Sequence, residues 1–290
     1  MESPGYNEAN GTASSASPNH QGRRMTTIID RIMYPWWTVV ALLRVDCRKN
    51  YGIRFTQKLT LVWRLLRNSR RPGSASSFFE HLRIATRLLQ VPTETEGKVA
   101  EFGCYKGLSS ASLSLVCALT KRRLVVFDSF EGLPEPKESI RCLFSGEVSS
   151  YERGQYCGTL DEVRENVRRH GVLDVCEFVK GYFDDTLPNR DAGERFILIF
   201  EDADLPESVR SVLRNTWCKL QPDCAFFCHE ARDQKVVEIF FDRTWWADHI
   251  GEPAPGFIGS GVGVMTGPTE QWCCLGYTIR RRCGVVSSAT

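Results

Sequence analysis

The chain has no CxxC pair, no apolar run long enough to span a bilayer and no excess of charge of either sign. Each absence removes a class of protein. Its 12 cysteines are scattered, with only Cys224 and Cys228, and Cys273 and Cys274, close together. Several, such as Cys117, Cys176, Cys224 and Cys228, sit in apolar runs, where a free thiol behaves as a small hydrophobe. A disulfide framework or a zinc knuckle is therefore not expected. The 37 Lys and Arg against 35 Asp and Glu leave a net charge of +2, which gives no reason to expect nucleic acid as a partner. The longest uncharged apolar stretch near the N-terminus, Ile32 to Leu43, falls short of the roughly 20 residues a membrane helix needs. The first 24 residues are polar, unlike a signal peptide, so a cytoplasmic protein with a disordered tail over 1–24 is expected.

What is present begins with an unusual module over 25–74. Tyr34, Trp36 and Trp37 precede the run VVALL, and from Arg44 to Arg71 nine basic residues face a single acid, Asp46. Aromatic residues followed by basic ones suit an interfacial helix over anionic lipid; the alternative is a helical cap buried against the main domain or a second subunit. Peripheral membrane contact and homo-oligomerisation are both open expectations.

Beyond the break at Arg71-Pro72-Gly73 the chain alternates helix and strand patterns. Ser77 and Glu80 form a capping box, and Thr159 and Glu162 a second, with Gly171 closing that helix. Strands are read at 98–102, 123–127, 175–179, 195–200 and 224–228, and a further helix at 235–246. Two strand-like runs, 257–265 and 272–280, end the pattern. Strands alternating with helices indicate a parallel sheet. The expected fold is α/β: a doubly wound, mostly parallel, seven-stranded sheet, ending in an antiparallel hairpin and preceded by a helical extension. The catalytic domain is placed at 75–282, with a short tail after it.

Ligands of such sheets bind beyond the carboxyl ends of the strands. The first strand is followed by Glu101-Phe102-Gly103-Cys104-Tyr105-Lys106-Gly107, which alone is an ordinary strand-to-helix turn. The second ends in Asp128, an acid about 20 positions beyond the glycine turn and placed to accept ribose hydroxyls. The fourth ends in Glu201-Asp202-Ala203-Asp204 and the fifth in His229-Glu230. Of five histidines, only His229 falls at a strand's carboxyl end. Asp204, just before Pro206, reads as a helix cap. The polar segment from Pro134 to Gly158 reads as a lid or binding loop.

EFGCYKG followed by VVFDSFEGLPEP, then GTLDEV, VKGYF, DDTLP and DADL, resembles the macrocin O-methyltransferase family over roughly residues 75–280. The resemblance implies a Rossmann-like enzyme of secondary metabolism that methylates sugar hydroxyls with S-adenosylmethionine (SAM). It implies that Glu101, Gly103, Tyr105, Gly107 and Ser109 lie at the methionine end of SAM and that Asp128 holds the ribose. Ser129 and Phe130 would then flank the adenosine, with Gly181, Tyr182 and Phe183 facing the adenine; Phe183 equally suits a core position. Asp202 matches the family's metal ligand and base. Where the family carries two aspartates that complete a magnesium site, this chain has His229 and Glu230. Two readings stay open: Asp202, His229 and Glu230 bind a divalent ion, magnesium or manganese, or His229 is itself the general base. The acceptor is expected to be a small molecule, O-methylated. N- or C-methylation, or a SAM-binding assembly factor without catalysis, are the alternatives.

Overall fold

The computed structural model describes residues 37–261, 263–264 and 274–281. Six strands form one sheet: β1 (Lys98–Phe102), β2 (Leu124–Asp128), β5 (Cys176–Lys180), β6 (Phe196–Glu201), β7 (Leu220–Cys228) and β8 (Gly276–Ile279). Their order is β5-β2-β1-β6-β7-β8; every pair is parallel except β7 with β8. The central strands β2 and β6 are buried at every residue. That is why they read as continuous apolar runs rather than alternating ones. A separate two-residue hairpin, β3 (Ile140–Arg141) with β4 (Val148–Ser149), lies within the long polar segment.

The helices before the sheet are a helical run ending at residue 44 (α1), α2 (Arg48–Tyr51), α3 (Phe55–Ser69) and α4 (Phe78–Gln90). Leu42, Cys47, Ile53, Leu61 and Leu65 from this region belong to the same hydrophobic cluster as the strands. Tails 1–24 and 283–290, and Trp36, lie outside the described residues. After β1 comes α5 (Leu108–Thr120), buried nearly all round between α3, α4 and α6 (Leu160–His170). Its small serines permit that closeness, and each hydroxyl finds a partner. Ser110 Oγ donates to Glu101, Ser112 Oγ accepts from Asn68, and Ser114 Oγ accepts the Val172 N–H.

The Ser77–Glu80 capping box is formed in both directions, with the Ser77 N–H donating to Glu80 Oε2 at 2.6 Å. Thr159 accepts the Glu162 N–H, and the Gly171 N–H closes α6 on Val167. Two expectations change. The helix read over 235–246 is two, α9 (Gln234–Ile239) and α10 (Arg243–His249), because the Asp242 carboxylate accepts the Trp245 N–H and starts a new helix. Among its described residues, 257–261 and 263–264, the run 257–265 forms no strand. Gly259, Gly261 and Gly263 all have positive φ, and only Ile258 bridges to β8, at Tyr277. The sheet therefore has six strands among the described residues, and its antiparallel edge is β7 with β8.

Candidate active site

A cavity of about 460 Å³ opens over the carboxyl ends of β1, β2, β6 and β7. Ten of the expected residues line it: Gly103, Tyr105, Ser109, Asp128, Ser129, Tyr182, Phe183, Asp202, His229 and Glu230. Four do not. Glu101 is wholly buried behind the turn, bonded by Ser110. Gly107 caps α5 at φ 77°, where a Cβ would press on Val163. Gly181 donates its N–H to the Asp128 carbonyl, and Phe130 is buried. Phe183 serves both readings, since it lines the cavity and packs edge-on against Phe102.

The β1 turn is made by close approach. Gly103 has φ 81°, and a Cβ there would fall 1.9 Å from the Asp202 carbonyl oxygen. Gly103→Ala costs roughly 1–2 kcal/mol from the backbone conformation alone, and the overlap with β6's exit adds to it. Thermal melting is expected to drop by several degrees, about 2–4 °C per kcal/mol for a chain of this size. A variant that melts with the parent would mean the two turns do not touch.

Asp128 is held by two short bonds. Its Oδ2 accepts the Cys104 N–H and its Oδ1 the Phe130 N–H, each at 2.7 Å. Burial raises its carboxyl above the ordinary range, and those N–H groups oppose the rise. Tyr105, Phe130 and Asp204 all have φ between 47° and 61°, so three non-glycine residues at strand-end turns sit in the left-handed region. Such strain gathers at binding sites, where the surroundings can enforce it.

At the ends of β6 and β7, His229 lies between two carboxylates. Nδ1 is 3.1 Å from Asp202 Oδ1, and Nε2 is 3.4 Å from Glu80 Oε1. Burial pulls the imidazole down, but Asp202 and Glu80 outweigh it and hold His229 well above its ordinary value. Glu80, although buried, is drawn down to about 2 by His229 and by the N–H groups of Ser77 and Cys274. Glu80 escaped the sequence reading because its capping role already explained it; its contact with His229 is tertiary.

Behind His229, Cys228 Sγ lies 2.9 Å from Glu201 Oε2 and 3.1 Å from Glu230 Oε2. Burial lifts Glu201 to about 7, with hydrogen bonds from Glu230 and Cys228 opposing the rise and Asp202 adding to it. Burial and the neighbouring Glu201 and Asp202 hold Glu230 well above its ordinary value. Glu230 Oε1 accepts the Asp204 N–H at 3.1 Å. Asp204 is not a helix cap: the cap residue of α8 (Pro206–Thr216) is Leu205, with no side-chain bond. Asp204 instead lines the cavity, its carboxyl raised to about 7 by burial and by Asp202. The polar segment contributes Tyr151 and Tyr156, packed edge-on to each other, and Tyr156 packs edge-on against Tyr105 as well. No periodicity marks these two tyrosines in the sequence.

The ligand atoms of Asp202, His229 and Glu230 lie within 4.8 Å of one another, a spacing that admits a cation. Their bonding suits magnesium poorly. Both His229 nitrogens face carboxylates, and both Glu230 oxygens have protein partners. Only Asp202 keeps an oxygen uncommitted, whereas magnesium demands near-octahedral oxygen donors. The donor set does not fit that ion.

A parallel sheet with one reversed edge strand, and a cavity over its strand ends, defines the class I methyltransferase fold. Residues 78–233 match the macrocin O-methyltransferase (TylF) family over more than half the chain, and the protein belongs to that family. It is 37% identical over 131 residues to the 8-demethyl-8-(2,3-dimethoxy-alpha-L-rhamnosyl)-tetracenomycin-C 4'-O-methyltransferase of Streptomyces olivaceus. That match takes in 43% of this chain and 49% of the relative, so the chain spans about half the relative's length. Among solved structures it is similar to the O-methyltransferase NovP (TM-score 0.56, 17% identity, 87% of this chain and 100% of that one). It is also similar to the calicheamicin methyltransferase CalS11 (TM-score 0.53, 16% identity, 94% and 99%). At such identities these two share the fold.

Proposed function

We propose that this protein transfers a methyl group from SAM to a hydroxyl oxygen of a sugar-bearing small molecule. The observation that carries the reading is one cavity lined both by Asp128, fixed at the end of β2, and by Asp202 with His229, at the ends of β6 and β7. Family membership, and the name of the Streptomyces relative, support a sugar-bearing acceptor.

SAM supplies an electrophilic methyl group on a sulfonium. The residues present suit its parts. Each Asp128 oxygen takes one N–H bond and keeps a lone pair for a ribose hydroxyl. Ser129, Tyr182 and Phe183 flank the adenosine in this reading, and Gly103, Tyr105 and Ser109 the methionine end. Glu207 Oε2, on the cavity wall, is buried without a partner, an acceptor left for a donor such as an exocyclic amine. Glu101, Gly107, Phe130 and Gly181 shape the turns without touching the ligand.

Transfer needs the acceptor hydroxyl aligned with the sulfonium and its proton removed. Asp202 is the base in this reading. His229 engages Oδ1, leaving Oδ2 for the acceptor proton. His229, cationic between Asp202 and Glu80, is a positioning residue in this reading, standing where the family's second carboxylate would complete a magnesium site, and magnesium takes no part.

Asp128→Ala is expected to weaken SAM binding by roughly 2–4 kcal/mol through lost charge-assisted bonds. Calorimetry on the folded variant checks it, and unchanged affinity would remove the ribose assignment. Labelled SAM with pools of glycosylated acceptors, read by mass spectrometry, tests the activity itself. Modified products carrying N-methyl or C-methyl groups only, or no turnover with SAM bound, would replace the O-methyltransferase reading.

A further inference from the structure

The helix α3 has two apolar faces, and among the described residues only one is packed into the core. Leu61 and Leu65 point into the core, with Lys58 and Asn68 buried beside them. Phe55, Leu59 and Trp63, spaced four apart, form a second stripe that is 57%, 45% and 57% exposed. At 100° per residue these three lie within about 80° of one another on the helix. Arg67 and Arg70 fall on the same exposed side, and the Arg67 guanidinium lies over the Trp63 ring at 5.3 Å. Exposed Arg44, Arg48, Lys49 and Arg54 extend the positive charge, against the single acid Asp46. Trp37, 59% exposed, adds a further aromatic to the module.

We infer that the exposed face of α3 docks on an anionic phospholipid surface, with Phe55, Leu59 and Trp63 entering the headgroup boundary. A helix lying in that plane needs an apolar stripe, an aromatic side chain that tolerates the interface and basic side chains reaching toward lipid phosphates. All three are on this face. Charge complementarity selects lipid over the other occupants. A symmetric pairing of two copies sets a patch against itself, here bringing like-charged Arg67 and Arg70 together. The 36 residues before Trp37 carry Glu2, Glu8 and Asp30 against Arg23, Arg24 and Arg31, so they offer no net charge to match the face. An extended bilayer of anionic headgroups offers it continuously, within the reach of unscreened charge.

The test is flotation of the full-length protein with vesicles of phosphatidylserine in phosphatidylcholine, beside vesicles of phosphatidylcholine alone. Binding is expected only to the anionic vesicles and is expected to be lost between about 0.1 M and about 0.5 M sodium chloride. The triple variant Phe55→Ser, Leu59→Ser, Trp63→Ser should melt with the parent and bind these vesicles about tenfold or more weakly. Arg67→Glu with Arg70→Glu should lose binding while keeping the apolar stripe. Three results overturn the inference. One is no flotation with anionic vesicles. Another is binding that survives the triple variant. The third is a triple variant that melts several degrees lower or loses a concentration-dependent dimer, which would mean that the chain itself or a second copy covers this face.

Discussion

Asp202→Asn is expected to reduce kcat by roughly 10²–10⁴-fold, the usual worth of a positioned general base. SAM affinity should stay within about threefold of the parent, a difference under 1 kcal/mol. The asparagine keeps the shape and the bond to His229 but cannot take a proton from the acceptor. Chelating divalent ions should leave the parental rate unchanged, because His229 and Glu230 already satisfy their donor atoms within the protein. Turnover abolished by a chelator and restored by magnesium would sink the metal-independent reading outright.

The pH profile separates His229 from its neighbours. With both carboxylates against it, His229 stays charged through neutrality and contributes no ionisation there. Asp204, raised to about 7, ionises in that range and adds negative charge beside Asp202 and the sulfonium. Activity should therefore rise with pH through about 7. Asp204→Asn should remove that inflection, and His229→Gln should lower the rate while keeping it. An inflection that disappears with His229→Gln would restore the histidine as base.

The parts of this site written in local sequence were legible, and the parts that depend on tertiary approach were not. Strand ends carry their own signal, so Asp128, Asp202, His229 and Glu230 could be placed at one edge of a sheet before any coordinates. Spacing cannot show that α4 brings Glu80 against His229, across about 150 residues of chain. Asp204 before Pro206 has the pattern of a cap, yet its φ of 61° turns it into the cavity instead. Gly259, Gly261 and Gly263 sit among valines that look like a strand, and their positive φ prevents one. Asp242 similarly broke a helix whose apolar residues ran on past it.

Glu101→Gln is expected to stabilise the protein above about pH 8 and to remove the last part of its stability loss with alkali. Glu101 is wholly buried, and burial raises its carboxyl from 4.5 to about 8, with Ser109 and Ser110 only partly opposing. Folding therefore binds a proton at this site between those values. Its contribution is fully present below pH 4.5 and is lost as pH rises toward about 8. Each unit of that shift corresponds to about 1.4 kcal/mol, so the whole effect is at most roughly 5 kcal/mol. Glutamine is neutral at every pH and keeps an oxygen for the Ser110 hydroxyl. Its amide N–H₂ would sit where Glu101 Oε1 is already buried without a partner, at a cost of about 1–3 kcal/mol. The variant should accordingly be no more stable than the parent at pH 5 and more stable at pH 9, in guanidinium unfolding at each pH. SAM affinity should remain within about twofold, since Glu101 stands behind the turn rather than on the cavity wall. A variant that follows the parent's stability at every pH but loses SAM binding would move Glu101 from the structural carboxyls to the cofactor's own contacts.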